Sequence, residues 1–160
     1  MMVKNIKKYT PGFNIHDIQK KYNLKKVIKL ASNENPFISE DVLSFIRKPN
    51  HKLNLYPDSN PHELNKLIAN TVGYTMTADN IILGNGSNEV LEFIVRANVD
   101  NKSEVIIPKH SFLVYEIISK LQNAKIISTK PDNNKSTDNY LGIDLESVIK
   151  NITKKTKLIF

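Results

Sequence analysis

The sequence predicts an α/β fold, a mostly parallel sheet covered by helices on both faces. Two observations predict it. From Asn80 onward, short apolar runs alternate with segments of helical periodicity, the strand–turn–helix order that builds such sheets. A hydrophobic fraction of 40% over 160 residues is also enough to form the core of one ordinary domain.

Taken in order, residues 1–35 read as an arm with little periodicity, holding the turn signal Thr10-Pro11-Gly12 and a short amphipathic piece near Ile15–Tyr22. Val27-Ile28-Lys29-Leu30 reads as a short strand leading into Asn33-Glu34-Asn35-Pro36. Ser39–Arg47 is a helix with Ser39 as N-cap and Val42, Leu43 and Ile46 on one face. After the polar stretch Pro49–Pro61 comes a helix over His62–Val72. Leu64, Leu67, Ile68 and Val72 share one of its faces, and Gly73 stops it.

Asn80–Leu83 is then the first strand of the alternating region, Gly84–Ser87 a tight turn and Asn88–Asn98 a helix. Val105–Ile107 is a strand, Phe112–Gln122 a helix and Lys125–Thr129 a strand. Pro131–Asn139 is a polar loop, Asp144–Asn151 a helix capped by Asp144, and Lys157–Phe160 a last strand. No internal repeat is visible.

Composition excludes several classes. The formal net charge of +7 is carried almost wholly by lysine, since Arg47 and Arg96 are the only arginines. Phosphate clamping and base reading favour the planar guanidinium fork, so nucleic acid is not the expected partner. No cysteine is present, which removes disulfides and thiolate metal sites, and no metal ligands are assigned. The basic start MMVKNIKKYT is followed by no apolar run, and no stretch approaches the roughly 18 apolar residues of a membrane span. A cytoplasmic protein without membrane contact is the expectation.

Two segments could carry chemistry. Gly84-Asn85-Gly86-Ser87-Asn88-Glu89 holds two of the five glycines, between a strand and a helix. Glycine allows close backbone approach, and a helix start presents free N–H groups at a positive dipole end. The six residues fit a phosphate cradle and equally a plain helix cap after a turn. They lack the third glycine of a dinucleotide fingerprint and the Gly-Lys-Ser/Thr of a nucleotide-triphosphate loop. Pro108-Lys109-His110-Ser111-Phe112-Leu113-Val114-Tyr115 lies at the carboxyl end of a strand, where ligands collect in open α/β sheets. Phe112 could stack on a planar ring there, or Phe112 and Tyr115 could simply pack under the helix.

In order and spacing, Tyr9–Gly12, Lys29–Pro36, Tyr56-Pro57-Asp58, Gly84–Glu89 and Pro108–Tyr115 resemble the front of the histidinol-phosphate aminotransferases, fold-type-I enzymes dependent on pyridoxal 5'-phosphate (PLP). The resemblance covers nearly the whole chain. It implies an N-terminal arm and start of the small domain over 1–35, and over 36–160 the first part of the PLP-binding large domain, cut off after its fourth strand. It further implies that Gly86, Ser87 and Asn88 hold the PLP phosphate and that Phe112 stacks on the pyridine ring. Tyr56 would reach the cofactor of a partner subunit in a homodimer, and Tyr9 and Asn33 would line the substrate pocket. Asn88 departs from the family, which usually has Asp there; the backbone donor remains, so the loss should be modest.

The family's Asn-Pro-x-x-Pro-Thr-Gly loop, its Asp toward the pyridine nitrogen, its Schiff-base lysine and its carboxylate-binding arginine are not found in this sequence. No catalytic residue is therefore assigned, and covalent attachment of PLP at the usual site is not expected. The resemblance then implies a piece of a histidine-biosynthesis aminotransferase, inactive alone. Two alternatives stand beside it: one half of a split enzyme completed by a complementary C-terminal chain, or a non-catalytic remnant binding a phosphate-bearing ligand. The family's sheet would put the final strand near its centre and leave the edge of Asn80–Leu83 unpaired, so marginal stability is expected.

Overall fold

The computed structural model describes residues 6, 9, 11–48, 54–136 and 138–160. Thr10 of the first turn signal, residues 49–53 of the polar stretch and Thr137 lie outside the described residues. The sheet is parallel and three-stranded, in the order β2-β1-β3, with β1 at Glu104–Pro108, β2 at Lys125–Thr129 and β3 at Thr156–Ile159. All five residues of β1 are buried, as a central parallel strand covered on both faces requires. The strand β3, expected near the centre, occupies an edge of the described sheet.

Six α-helices are described: α1 (Ile15–Tyr22), α2 (Glu40–Ile46), α3 (His62–Val72), α4 (Ser87–Asn98), α5 (Leu113–Leu121) and α6 (Leu145–Lys150). The core sits between β1 and the helices α4 and α5. Val95 and Val99 from the α4 end, Val114 and Ile118 from α5, and Val105 and Ile107 from β1 form one buried cluster. The i, i+4 spacing puts each helical pair on one face, and the period of two sends Val105 and Ile107 to the same side of the sheet. Each fully buried aliphatic side chain contributes roughly 1.5–3 kcal/mol. Ile106 faces the opposite side and is also fully buried, in register with Ile127 and Ile159.

The amino edge of the sheet is tied by one carboxylate. Glu104 accepts from Lys125 Nζ at 2.9 Å and from the Thr153 hydroxyl at 2.7 Å, joining β1 to β2 and to the turn before β3. The Thr153 hydroxyl and then Lys125 hold its carboxyl below the ordinary carboxylate value.

Several expectations need correction. Asn80–Leu83 is not a ladder strand. Ala78–Asn80 is a 3₁₀ turn, and residues 81–84 run on without a paired strand among the described residues, with Ile82 70% exposed. Among the described residues the sheet accordingly has three strands where four were expected. Val27–Leu30 likewise forms no strand, and Leu30 is 91% exposed. Both runs have strand composition, but pairing depends on a neighbour that local composition does not supply.

The inward face of α3 is Asn65 and Ala69, not the expected Leu64, Leu67, Ile68 and Val72; Ile68 alone of these is partly buried. Asn65 Nδ2 instead reaches the Ile81 carbonyl at 3.4 Å, which fixes α3 against the segment leading into residues 84–86. On α2 only Leu43 is partly buried, and Ser39 stands at the N-cap without a side-chain cap bond. By contrast Asp144 caps α6 as expected, its side chain accepting from the Ser147 N–H at 2.9 Å. The polar loop after β2 is closed at its base by the Pro131–Ile143 bridge and the Leu141 N–H to Asp132 carbonyl bond, 2.8 Å.

Candidate functional site

Two helices begin at the carboxyl edge of the sheet, and their starts carry the residues singled out above. Leu91 near the start of α4, Tyr115 in the first turn of α5 and Phe160 just after β3 all pack against the same core cluster. Helix α4 leads through residues 99–103 into the amino end of β1, and α5 follows the carboxyl end of β1. Both helix N-termini therefore point to the carboxyl edge, where open α/β sheets bind ligands.

At the start of α4 the chain turns through Gly84-Asn85-Gly86. The Gly86 N–H bonds to the Gly84 carbonyl at 2.8 Å, and Gly86 takes φ 78°, ψ 172°, a conformation that essentially only glycine adopts without strain. As N-cap of α4 it has no side chain to accept from the first helical turn. The N–H groups of the first turn thus have no side-chain cap, and the helix dipole adds a positive potential there. Ser87 and Asn88 are both exposed at this end. A Cβ on Gly86 would meet nothing within 4 Å among the described residues. These residues fit an anion of phosphate size.

At the start of α5, His110 takes a left-handed φ of 70° and the Ser111 N–H bonds to the Pro108 carbonyl, which swings the chain from β1 into the helix. Phe112 is the N-cap, 41% exposed. The Tyr9 ring meets it edge-on at 6.3 Å, and Tyr115 does so at 5.7 Å. Tyr115 in turn stacks on Phe160 at 4.2 Å with 7° between the planes. Tyr115 packs with the core, while Phe112 keeps a substantial open surface. Beside Phe112 a pocket of about 170 Å³ is lined by Lys109, His110, Ser111 and Ser128 among others. None of residues 84–88 lines it, so the glycine turn and the aromatic are neighbouring parts of the edge rather than one closed cavity.

The arm reaches the same place. Gly12 packs so closely on residues 31–32 that a Cβ there would lie 3.0 Å from Ser32 Oγ and 3.4 Å from Ala31 Cβ. Three residues before it, Tyr9 touches Phe112. Tyr9 and Phe112 are therefore in contact, and Asn33, at φ 50°, directly follows the Ala31–Ser32 pair on which Gly12 packs. Tyr56 is brought to none of them and is fully exposed.

Two contributors carried no role in the sequence reading. Glu89 accepts from the Asn85 N–H at 2.6 Å and from Asn85 Nδ2 at 3.1 Å, bracing the glycine turn from within α4. A capping-box spacing is present, but glycine at the N-cap removes the Ser/Thr signal that identifies one. Phe160, which buttresses Tyr115, had no local signal beyond an apolar strand.

The family model for aminotransferase class I and II matches residues 25–160. Among curated proteins, histidinol-phosphate aminotransferase 1 of Idiomarina loihiensis is 38% identical over 99% of this chain and 41% of its own length. The histidinol-phosphate aminotransferase of Desulfotalea psychrophila is 36% identical over 99% of this chain and 40% of its own length. The chain thus spans about two-fifths of these relatives. Among solved structures, the aspartate aminotransferase of Rhizobium meliloti superposes with TM-score 0.70 at 23% identity, covering 89% of this chain and 36% of that one, a likeness of fold.

Proposed function

This chain belongs to the class I and II aminotransferase family, and from that premise we propose that it supplies the phosphate-binding and ring-stacking part of a PLP-dependent aminotransferase acting on histidinol phosphate. The observation that carries the proposal is the glycine-bounded, side-chain-uncapped start of α4 at the same sheet edge as the open ring of Phe112. The substrate class rests on the relatives, which are histidinol-phosphate aminotransferases at 36–38% identity.

In this reading Ser87 and the first-turn N–H groups of α4, with Gly86 and Asn88, bind the cofactor phosphate. Phe112 orients the pyridine ring by stacking, and Tyr9, which packs edge-on against Phe112, fixes that ring and excludes water on its side. Tyr9 and Asn33 line the substrate pocket. Bound PLP supplies the electron sink on which amino-group transfer depends. Tyr56, fully exposed here, reaches the cofactor of a partner subunit. Residues 1–35 act as arm and start of the small domain, and 36–160 as the first part of the cofactor-binding domain.

Completion by further polypeptide, in a homodimer or from a complementary chain, is supported by the apolar groove of Ile82, Phe93 and Ile94 on the outer side of α4. Among the described residues no helix is long and apolar enough to cross a membrane.

The test is a thermal shift with PLP against pyridoxal, which lacks the phosphate. A ligand bound only by the native state stabilises by about 2.7 kcal/mol at a hundred times its Kd. PLP should raise the melting temperature more than pyridoxal does. Equal responses to the two would remove the phosphate cradle from the reading.

A further inference from the structure

We propose that Glu89 is a positioning residue that selects which N–H groups of the glycine turn face the cofactor phosphate; the proposal rests on the reading of residues 84–88 given above. Glu89 is the third residue of α4 and its side chain folds back on the turn. One carboxylate oxygen, Oε2, accepts both from the Asn85 N–H at 2.6 Å and from Asn85 Nδ2 at 3.1 Å. The closure is tight: a Cβ on Gly84 would lie 3.1 Å from that same oxygen, 2.9 Å from Val90 Cγ2 and 3.3 Å from the Val90 nitrogen. Gly84 is therefore required by the approach of Glu89 and Val90, whereas Gly86 is required by its own backbone angles.

The consequence is a sorting of donors. The Asn85 N–H is taken by Glu89 and the Gly86 N–H by the Gly84 carbonyl. The first-turn N–H groups of α4 are left to an anion. Without Glu89, Asn85 would be free to turn its amide groups toward the ligand, and the turn would lose the bond that sets its angle to the helix. The negative charge of Glu89 is not what the phosphate needs, since two anions at one helix end repel. Its hydrogen-bond reach is what matters, and that separates three substitutions. Glu89→Gln keeps an acceptor oxygen at the same reach and removes the charge. Glu89→Asp keeps the charge and loses one methylene of reach. Glu89→Ala loses both.

The experiment measures, on the protein carrying this chain, the affinity for PLP and for pyridoxal, and the amide exchange rate of Asn85. Glu89→Gln should bind PLP at least as tightly as the parent and keep the Asn85 amide protected. Glu89→Asp and Glu89→Ala should each weaken PLP about tenfold, the scale of one hydrogen bond. They should leave pyridoxal binding unchanged and expose the Asn85 amide. Should Glu89→Ala fail to fold, the Asp and Gln pair makes the same comparison. Unchanged PLP affinity in the Asp variant, or a Gln variant as weak as it, overturns the proposal alone. A parent protein that does not prefer PLP over pyridoxal removes the cradle reading, and this inference with it.

Discussion

At Gly86 the cost of a single methyl group can be separated from packing. A Cβ there meets nothing within 4 Å, yet φ 78°, ψ 172° lies in a region closed to other residues. Gly86→Ala should therefore destabilise by about 1–3 kcal/mol through backbone strain alone. It should also shift Ser87 and weaken PLP more than pyridoxal in a direct titration. Gly84→Ala should act by collision with Val90 and Glu89 instead, so shortening Glu89 to Ala should relieve part of its effect. Equal penalties for Gly84→Ala with and without Glu89 would contradict that account. At this scale the glycine turn and Phe112 stood out in the sequence, because glycine pairs and strand-end aromatics are local signals. It left Glu89 without a role, because the partner of its carboxylate is a backbone N–H. Tyr56 had only its motif to speak for it, and the structure brings it to no other site residue.

Helices were more legible than strands, and the physical reason is where each gets its hydrogen bonds. The caps of α6 illustrate it. Asp144 stands three residues before Ser147 and accepts its N–H, a bond whose two partners are neighbours in sequence. Asp144→Ala should cost about 1 kcal/mol, read as a lower denaturant midpoint with unchanged m. The strands depend on partners 21 residues away or more, as Glu104 and Lys125 do. Composition alone could not tell Val105–Ile107, which found two neighbours, from Ile81–Leu83, which found none among the described residues. The same dependence made the inward face of α3 unreadable: Asn65 turns in because the Ile81 carbonyl awaits a donor. In β1, Ile106→Ala should cost about 2–5 kcal/mol, since Ile106 is wholly buried on the sheet face away from α4 and α5. A loss under 1 kcal/mol on chemical denaturation would mean that face is not packed.

For the molecule as a whole, the two edges of the sheet divide their tasks, and pH should tell them apart. The carboxyl edge holds the glycine turn proposed above to bind the cofactor phosphate. The amino edge holds Glu104, which unites β1, β2 and the approach to β3 through Lys125 and Thr153, the latter 49 residues away. Its carboxyl sits below the ordinary value of 4.5 because the ionised form accepts from the Thr153 hydroxyl and then from Lys125. A carboxyl with a lowered folded-state value contributes stability that is fully present above its unfolded value. That contribution fades as pH falls from about the ordinary value through the lower folded one. Glu104→Gln keeps the shape and removes the titration. The variant should melt below the parent at neutral pH, and the gap should narrow as pH drops through 4.5 and beyond, because the parent alone loses this contribution. The same titration leaves the cradle variants at Gly86 untouched, since strain carries no proton. A constant gap between Glu104→Gln and parent from pH 7 to pH 3 would contradict that account, because titration of the carboxylate would then play no part in the difference.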